Sequence, residues 1–553
     1  MIILFEKHTY KTSSIVNLIK DKYYTLTGSD KSVIDFVGYY FNSSLNKAVF
    51  ILPKVFVTQD GVAFGICRPE DIIELHSEDV IKLIGTKHYN TIFELTIWLY
   101  QAIVFYRKRN QDTRIIRGDN LQIITSNFDS STQSMLDIIL SLIDFNKKNK
   151  YFITQVIKSN HSQQENIDWQ RTTRTRTPII NNNTPIYWEV ISRKKHINYD
   201  EELIIIFYST LKHIAEHYGF KIPINENYTL ITGKKLMRFQ EKGTRKLKKI
   251  KYKYYSDKFL ILWQLLYVYY EKLESANKSK REDEVLLAKN FNHIFEDMID
   301  VLISDQTLPK YLKKQKDGKQ LDHIFKHKSL LSLDNEIHYI GDSKYYKPSN
   351  EIKGQSIDKQ YTYAKNVIQY NVDLFNTEEL EDTILYRDSL TEGYNISPNF
   401  FITAYVNEEL GFFDDGLKQE FGSSSIFHFQ DRLFDRDSLI LHTYNINFLF
   451  VLSSYINTNE NNKKIFRSKV YTVFRNRIIA YLNENYSFYK LNTHENLIDF
   501  INVNFRLLNG KMFRENANST DLILALEKTG SEEDIFKDII NLVSYEKFSI
   551  NNN

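Results

Sequence analysis

The segment Ile337-His338-Tyr339-Ile340-Gly341-Asp342-Ser343-Lys344-Tyr345-Tyr346-Lys347 restricts the fold more than any other stretch of the chain. Its apolar and aromatic content is that of a core strand, and side chains on a strand alternate between faces with period two. Asp342 and Lys344 therefore share a face with Ile340 and Tyr346, so that a carboxylate and an ammonium stand where burial is expected. Buried charges are costly unless paired or put to use. The plainer alternative is a solvated strand face carrying a surface ion pair worth roughly 0 to 1 kcal/mol.

The surroundings of this strand read as helix, strand, strand, helix, strand. Phe291, Phe295, Met298 and Leu302 make one apolar stripe at helical spacing, and Leu321–Phe325 is strand-like. After the Asp342 strand, Ile357, Tyr361, Ala364 and Ile368 repeat the helical period, and Phe400–Val406 is again a strand. Residues 284–407 are thus expected to form an α/β core within a multidomain α+β chain of 553 residues, long enough for several domains.

The region 1–158 opens with β structure, Val33–Tyr40 and Ala48–Val57, followed by a hairpin turning at Asp60-Gly61. Helical patterns follow at 77–83, 89–106 and 133–146. Residues 159–283 begin as a polar connector around Trp169 and continue as a helical insert: Glu201–Tyr218, a basic segment and Lys258–Ala276. The last region, 408–553, reads as mixed and mainly helical, with a short strand at Ile426–Phe429 and an apolar helix at Ile446–Tyr455.

Composition excludes several classes. The apolar runs Ile92–Tyr106, Phe259–Tyr270 and Ile446–Ile456 are shorter than the roughly 20 residues that cross a bilayer, so no membrane association is expected. Met1–Tyr10 has no basic stretch leading into an apolar one, so no secretory signal is expected. The single cysteine, Cys67, rules out an internal disulfide framework and any zinc site of several thiolates, which points to a reducing compartment and a cytoplasmic protein. Cys67 has no identifiable base and is not read as a nucleophile. Net charge is only +3, yet Gly233–Lys253 holds ten Lys or Arg against Glu241 alone, interleaved with Phe239, Tyr252, Tyr254 and Tyr255. Such a run is either a solvated helix face or a track for the DNA backbone, with Lys246, Lys248, Lys249 and Lys251 as the candidate contacts.

Around the Asp342 strand the chemistry-bearing residues occur in a set order. Glu296 lies near the edge of the apolar helix stripe, Asp322 in the short strand, Asp342 and Lys344 two apart on the long strand, and Gln360 on the following helix. Phosphodiester hydrolysis needs charge stabilisation at the phosphoryl oxygens and an activated water, which hard oxygen ligands holding Mg²⁺ can provide. Asp322 and Asp342, with the carbonyl of Ser343, would hold the metal, and Lys344 would orient or polarise the water.

This set resembles the PD-(D/E)xK nucleases, in particular the nuclease subunits of McrC type and the LlaJI restriction endonuclease family. The resemblance rests on Phe295-Glu296, Asp342-Ser343-Lys344-Tyr345, Gln360 with Tyr363-Ala364, and three flanking matches: Leu52-Pro53-Lys54, Trp169-Gln170-Arg171-Thr172 and Phe434-Asp435-Arg436-Asp437. Leu321 stands before Asp322 where the superfamily pattern has proline. The resemblance implies a restriction-endonuclease-like core with a β-rich N-terminal region and a helical insert. It implies catalysis by Asp322, Asp342, Lys344, Glu296 and Gln360, and a Mg²⁺ ion, replaceable by Mn²⁺, held by Asp322, Asp342, Ser343 and Glu296.

No G-x-x-x-x-G-K-[ST] motif occurs, since Gly233-Lys234-Lys235 lacks both the upstream glycine and the hydroxyl, so the chain is not itself a P-loop motor. The McrC resemblance implies a separate AAA+ partner, a McrB-like GTPase. The expectation is a Mg²⁺-dependent DNA endonuclease subunit of a bacterial restriction or antiphage system. Two alternatives stay open: a self-sufficient site-specific type II restriction endonuclease, and a non-catalytic DNA-binding or assembly subunit with a degenerate nuclease fold.

Overall fold

A computed structural model describes residues 1–45, 47–75, 78–110, 122–126, 135–149, 155–160, 166–218, 222–278, 283–315, 318, 320–346, 352, 354–376, 387–388, 390–406, 411–427, 431–457, 459–492, 497–515, 519–528 and 543–551. The chain divides into two compact units. One comprises Met1, 40–48 and 125–285; the other comprises 2–39, 49–124 and 286–553.

The second unit holds a five-stranded mixed sheet. Its elements run α1 (Asn292–Ile303), β1 (His323–Lys328), β2 (Glu336–Lys344), α2 (Gly354–Asn376), β3 (Ser397–Tyr405), β4 (Lys418–Phe427), β5 (Leu439–Asn447), α3 (Phe448–Ile456) and α4 (Glu460–Asn485). The strand order is β1-β2-β3-β5-β4. The outer pairs, β1 with β2 and β4 with β5, are antiparallel, and the central pairs are parallel. A parallel pair needs a crossover, and α2 supplies the one between β2 and β3.

Both faces of the sheet are covered, which explains why β2 is buried along nearly its whole length. Ile324 and Ile340 pack with Tyr363, Ala364 and Val367 of α2. On the opposite face Phe325 stacks on Tyr339 and on Tyr471 of α4, and Phe474 of α4 lies against Phe400 and Tyr444. Gly341 is required by this packing: a β-carbon there would collide with the Phe400 ring of β3, its register partner. In the same unit Ile2–Phe5 pairs in parallel with Val49–Leu52.

Several expectations change. Asp60-Gly61 does turn, with Gly61 at φ 77°, but the flanks meet only in the single bridge Val57–Ala63 and form no hairpin strands. The helix expected in two pieces, at 77–83 and 89–106, runs as Glu78–Asn110 with a break at Gly85, whose φ of 76° is left-handed. Asp322 lies one residue before β1 rather than within a strand. The C-terminal region carries α3, α4 and helix Leu497–Leu508, and also more strand than the sequence suggests. It contributes β4, β5 and a four-stranded antiparallel sheet built from Tyr486–Asn492, Met512–Phe513, Asp521–Glu527 and Ser544–Phe548.

The first unit carries helices Met135–Lys148, Glu202–Tyr218, Gly233–Ile250 and Asp257–Lys278. Its polar connector is structured where described. Asp168 caps helix Trp169–Thr175 by accepting from the Arg171 amide, and Ile179–Asn181 pairs with Thr184–Ile186. Among the described residues no helix is long and apolar enough to cross a membrane.

Candidate active site

The register of β1 against β2 builds the site. His323 lies opposite Gly341, so one step further places Asp322 opposite Asp342 at the end of the ladder. Like charges directly opposite on a sheet repel, and the two carboxyls shift in opposite directions. Burial, then the charge of Asp342, push Asp322 well above the usual carboxylate range. Burial also acts upward on Asp342, but the hydrogen bond from Asp322 and the charge of Lys344 prevail and hold it low. Asp322 is therefore the member of the pair that keeps its proton to higher pH. Lys344 forms an ion pair with Asp342 across the two-residue spacing, and its ammonium lies 5.5 Å from the centre of the Phe401 ring.

The other expected residues surround this pair at different depths. Gln360 is fully buried, and its amide donates to the Ile340 carbonyl at 3.1 Å and to Asn399 Oδ1 at 3.3 Å, pinning α2 onto β2 and β3. Glu296 has its two oxygens held by Asn292 at 3.3 Å and His293 at 3.1 Å. Its charge still raises Asp322, so it faces the pair from α1 without joining it. That partnership in turn raises His293. The Ser343 side chain is buried and, by strand alternation, points away from Asp342 and Lys344.

Three participants, Lys359, Glu6 and His323, escaped the sequence reading. Lys359, exposed on α2 with its ammonium 5.3 Å from the Tyr363 ring centre, places a second cation in the field of Asp322 and Asp342. Burial works against its charge, but Tyr363 and both aspartates hold it above the ordinary lysine range. Its only sequence signal was adjacency to Gln360. Tyr345, directly after Lys344, donates its hydroxyl to the buried Glu6 at 2.6 Å. The Lys54 amide reaches the same carboxylate at 3.2 Å, and the Lys54 ammonium sits 4.6 Å from the Tyr345 ring centre. Fully buried His323 lies 3.7 Å from Asp300 of α1. Glu6 and His323 gave no signal, because their partners are remote in sequence.

The flanking motifs are structural where they are described. Leu52-Pro53-Lys54 supplies the support for Tyr345. Phe434-Asp435-Arg436-Asp437 forms the turn into β5, with Asp437 paired to Lys365 of α2 at 2.8 Å. Cys67 is buried, and burial pushes its thiol up to about 11, which removes it as a nucleophile.

Mg²⁺ is commonly held by one or two carboxylates, with water and substrate oxygens completing its shell. Two carboxylates brought opposite each other at the end of the β1–β2 ladder, Asp342 buried and Asp322 held above the usual carboxylate range, fit that demand. Among the described residues no cluster of three or more His, Cys, Asp or Glu side chains forms a larger ligand set. In the first unit, helix Gly233–Ile250 is amphipathic: Phe239, Gly243, Leu247 and Ile250 are buried, while Lys246, Lys248 and Lys249, with Lys251 just beyond, are exposed.

No curated protein and no solved structure matches the chain. The sequence does match the model of the LlaJI restriction endonuclease family over residues 99–415, a span that includes the acid pair, Lys344, Gln360, Glu296 and the basic helix. That span is more than half of the 553 residues, and the chain belongs to the LlaJI restriction endonuclease family.

Proposed function

We propose that the chain is a Mg²⁺-dependent DNA endonuclease of PD-(D/E)xK type, the cutting subunit of a bacterial restriction or antiphage system acting in the cytoplasm. The observation that carries this reading is the cross-strand pair Asp322–Asp342 with Lys344 on the same strand face. Asp322 and Asp342 hold the divalent ion, with Mn²⁺ as a substitute and the Ser343 carbonyl as a further oxygen. When bound, that ion supplies Lewis acidity toward a phosphoryl oxygen and lowers the pKa of a water. Lys344, paired with Asp342 in the absence of substrate, would orient the attacking water. Glu296 adds negative charge behind the pair, and Gln360 fixes the helix against the strand that carries it. Lys359 stands at the exposed side, where a phosphate enters. Lys246, Lys248, Lys249 and Lys251 contact the DNA backbone.

The chain lacks a P-loop, so coupling to nucleotide hydrolysis falls to an AAA+ partner, a McrB-like GTPase. The test incubates supercoiled plasmid and Mg²⁺ with the purified chain, with and without a neighbouring-gene NTPase and GTP or ATP. Cutting only in the complete mixture is the expected result. Cutting at defined sites by the chain alone selects a self-sufficient restriction enzyme, and no cutting in any arm refutes the catalytic reading.

A further inference from the structure

The aromatics interleaved with the basic run are sorted by the fold into two kinds. Phe239 is buried and packs edge-on against Tyr270, 5.0 Å between ring centres. Tyr254 is buried as well: its hydroxyl donates to Glu201 at 2.5 Å, and its ring lies parallel to Phe259 at 5.0 Å. Tyr252 and Tyr255, by contrast, are 80% and 86% exposed. Tyrosine rings held this far into water lose the burial that usually accounts for them.

The cations beside them are held in place. Lys251 sits 4.7 Å from the ring centre of Trp263 and Lys248 5.5 Å from that of Tyr267, and these two rings stack on each other at 5.1 Å. The Trp263 indole N–H donates to the Leu247 carbonyl at 2.8 Å and so fixes the platform to the basic helix. Lys246, on the same helix, sits 4.9 Å from the Phe239 ring centre. Lys253 is paired with Glu202 at 3.0 Å and adds less positive charge. The surface therefore combines positioned ammonium groups with two free π-faces.

A duplex hides its base faces and needs only the cations; an unpaired strand offers both phosphates and base faces. We infer that Tyr252 and Tyr255, together with Lys248 and Lys251 just before them in the chain, form a stacking site for unpaired bases of a DNA strand. The inference rests on the DNA-binding part of the proposed function. It adds that this face prefers single-stranded or opened DNA to intact duplex.

The test uses the full chain in EDTA, so that nothing is cut, and fluorescence anisotropy with a labelled oligothymidylate and a blunt duplex of equal length. Each base–aromatic contact contributes on the order of 1–3 kcal/mol, so each tyrosine lost weakens binding about 5-fold or more. The Tyr252→Ala/Tyr255→Ala double variant should bind the single strand about 25-fold more weakly or worse, with only a small change on duplex and an unaltered salt slope. Tyr252→Phe/Tyr255→Phe, which keeps the rings, should restore binding. Circular dichroism checks that the fold is retained. Changing Lys246, Lys248, Lys249 and Lys251 to Gln reports the phosphate contacts separately, as a flatter salt slope on both probes. Equal loss on both probes in the alanine variant, or no loss on either, overturns the stacking site and assigns the tyrosines to a protein contact. Absence of wild-type binding to the single strand also overturns it, whereas failure of the cutting reading would appear independently, as plasmid cleavage that survives Lys344→Ala.

Discussion

The upward shift of Asp322 beside Asp342 makes a quantitative prediction for Asp322→Asn. Asparagine is close in size, still donates a hydrogen bond to Asp342, and cannot ionise. In the wild type the folded state raises Asp322 above its ordinary value of 3.8. A carboxyl raised by folding contributes stability that is complete below the unfolded value and is lost as pH rises toward the folded value. One proton is involved, so wild-type stability should fall relative to Asp322→Asn by about 1.4 kcal/mol per pH unit in that window. Asp342 shifts the other way, but it keeps Lys344 and a donor at position 322 in both proteins, so its contribution largely cancels. Two unit charges 4 Å apart at an effective dielectric of about 20 repel by about 4 kcal/mol, which sets the scale of the total gap. Urea unfolding in EDTA at pH 5, 6, 7 and 8 should show Asp322→Asn as the more stable protein, with the gap widening upward. A Mg²⁺ concentration of about 100 times Kd should return roughly 2.7 kcal/mol to the wild type, and much less to the variant. A gap independent of pH, or a variant less stable than wild type at pH 8, refutes the upward shift of Asp322 and with it the site.

Other consequences are direct. Lys344→Ala and Asp342→Ala should abolish plasmid cleavage while DNA affinity, measured by anisotropy, stays within about 2-fold, since each removes a group at the reacting centre; loss of cooperative folding in Lys344→Ala would make the lysine structural. Mg²⁺ and Mn²⁺ should support cutting, and Ca²⁺ should compete for the site yet leave the rate near background, because its longer, looser coordination positions water poorly; equal rates in Ca²⁺ and Mg²⁺ would contradict the donor set. Tyr345→Phe should lower kcat with KM for DNA unchanged and cost about 1.5–3 kcal/mol of stability, the range for a hydrogen bond to a charged acceptor; Tyr345→Phe kinetics equal to wild type would remove the proposed support of Lys344.

The sequence exposed the Asp342–Lys344 face because period two is a property of any strand, and it exposed α2 because its apolar stripe repeats every three to four residues. It showed Asp322 as an acid of the right order but not as the cross-strand partner of Asp342, since that follows from a register fixed by the β1–β2 ladder. Strand β5 was hidden because Ile446 and Asn447 run straight into the apolar helix Phe448–Ile456, and an unbroken apolar run carries no period. The C-terminal sheet was hidden for a related reason: strand Tyr486–Asn492 begins where α4 ends, with no glycine or proline to mark the change. Tyr252, Tyr254 and Tyr255 look alike as letters, and only the Glu201 hydrogen bond and the Phe259 stack separate the buried one from the exposed two.

The N-terminal strands gain a role that composition alone could not assign. Glu6 is 3% exposed, and burial raises it above the usual carboxylate range despite the nearby Lys54. A chain does not bury a carboxylate at such cost for packing alone; here it receives the Tyr345 hydroxyl and the Lys54 amide together. Tyr345 is further wedged against Phe291 and Phe295, and Phe295 stacks on Phe448 of α3. The residue next to Lys344 is therefore fixed by α1, by the Leu52-Pro53-Lys54 turn and by the end of the first strand. A lysine side chain is long and loses much rotamer freedom when it is held in one pose. Fixing the backbone beside Lys344 would reduce what must be ordered on DNA binding at the proposed site, which is the physical sense in which a region outside the α/β core supports that candidate site.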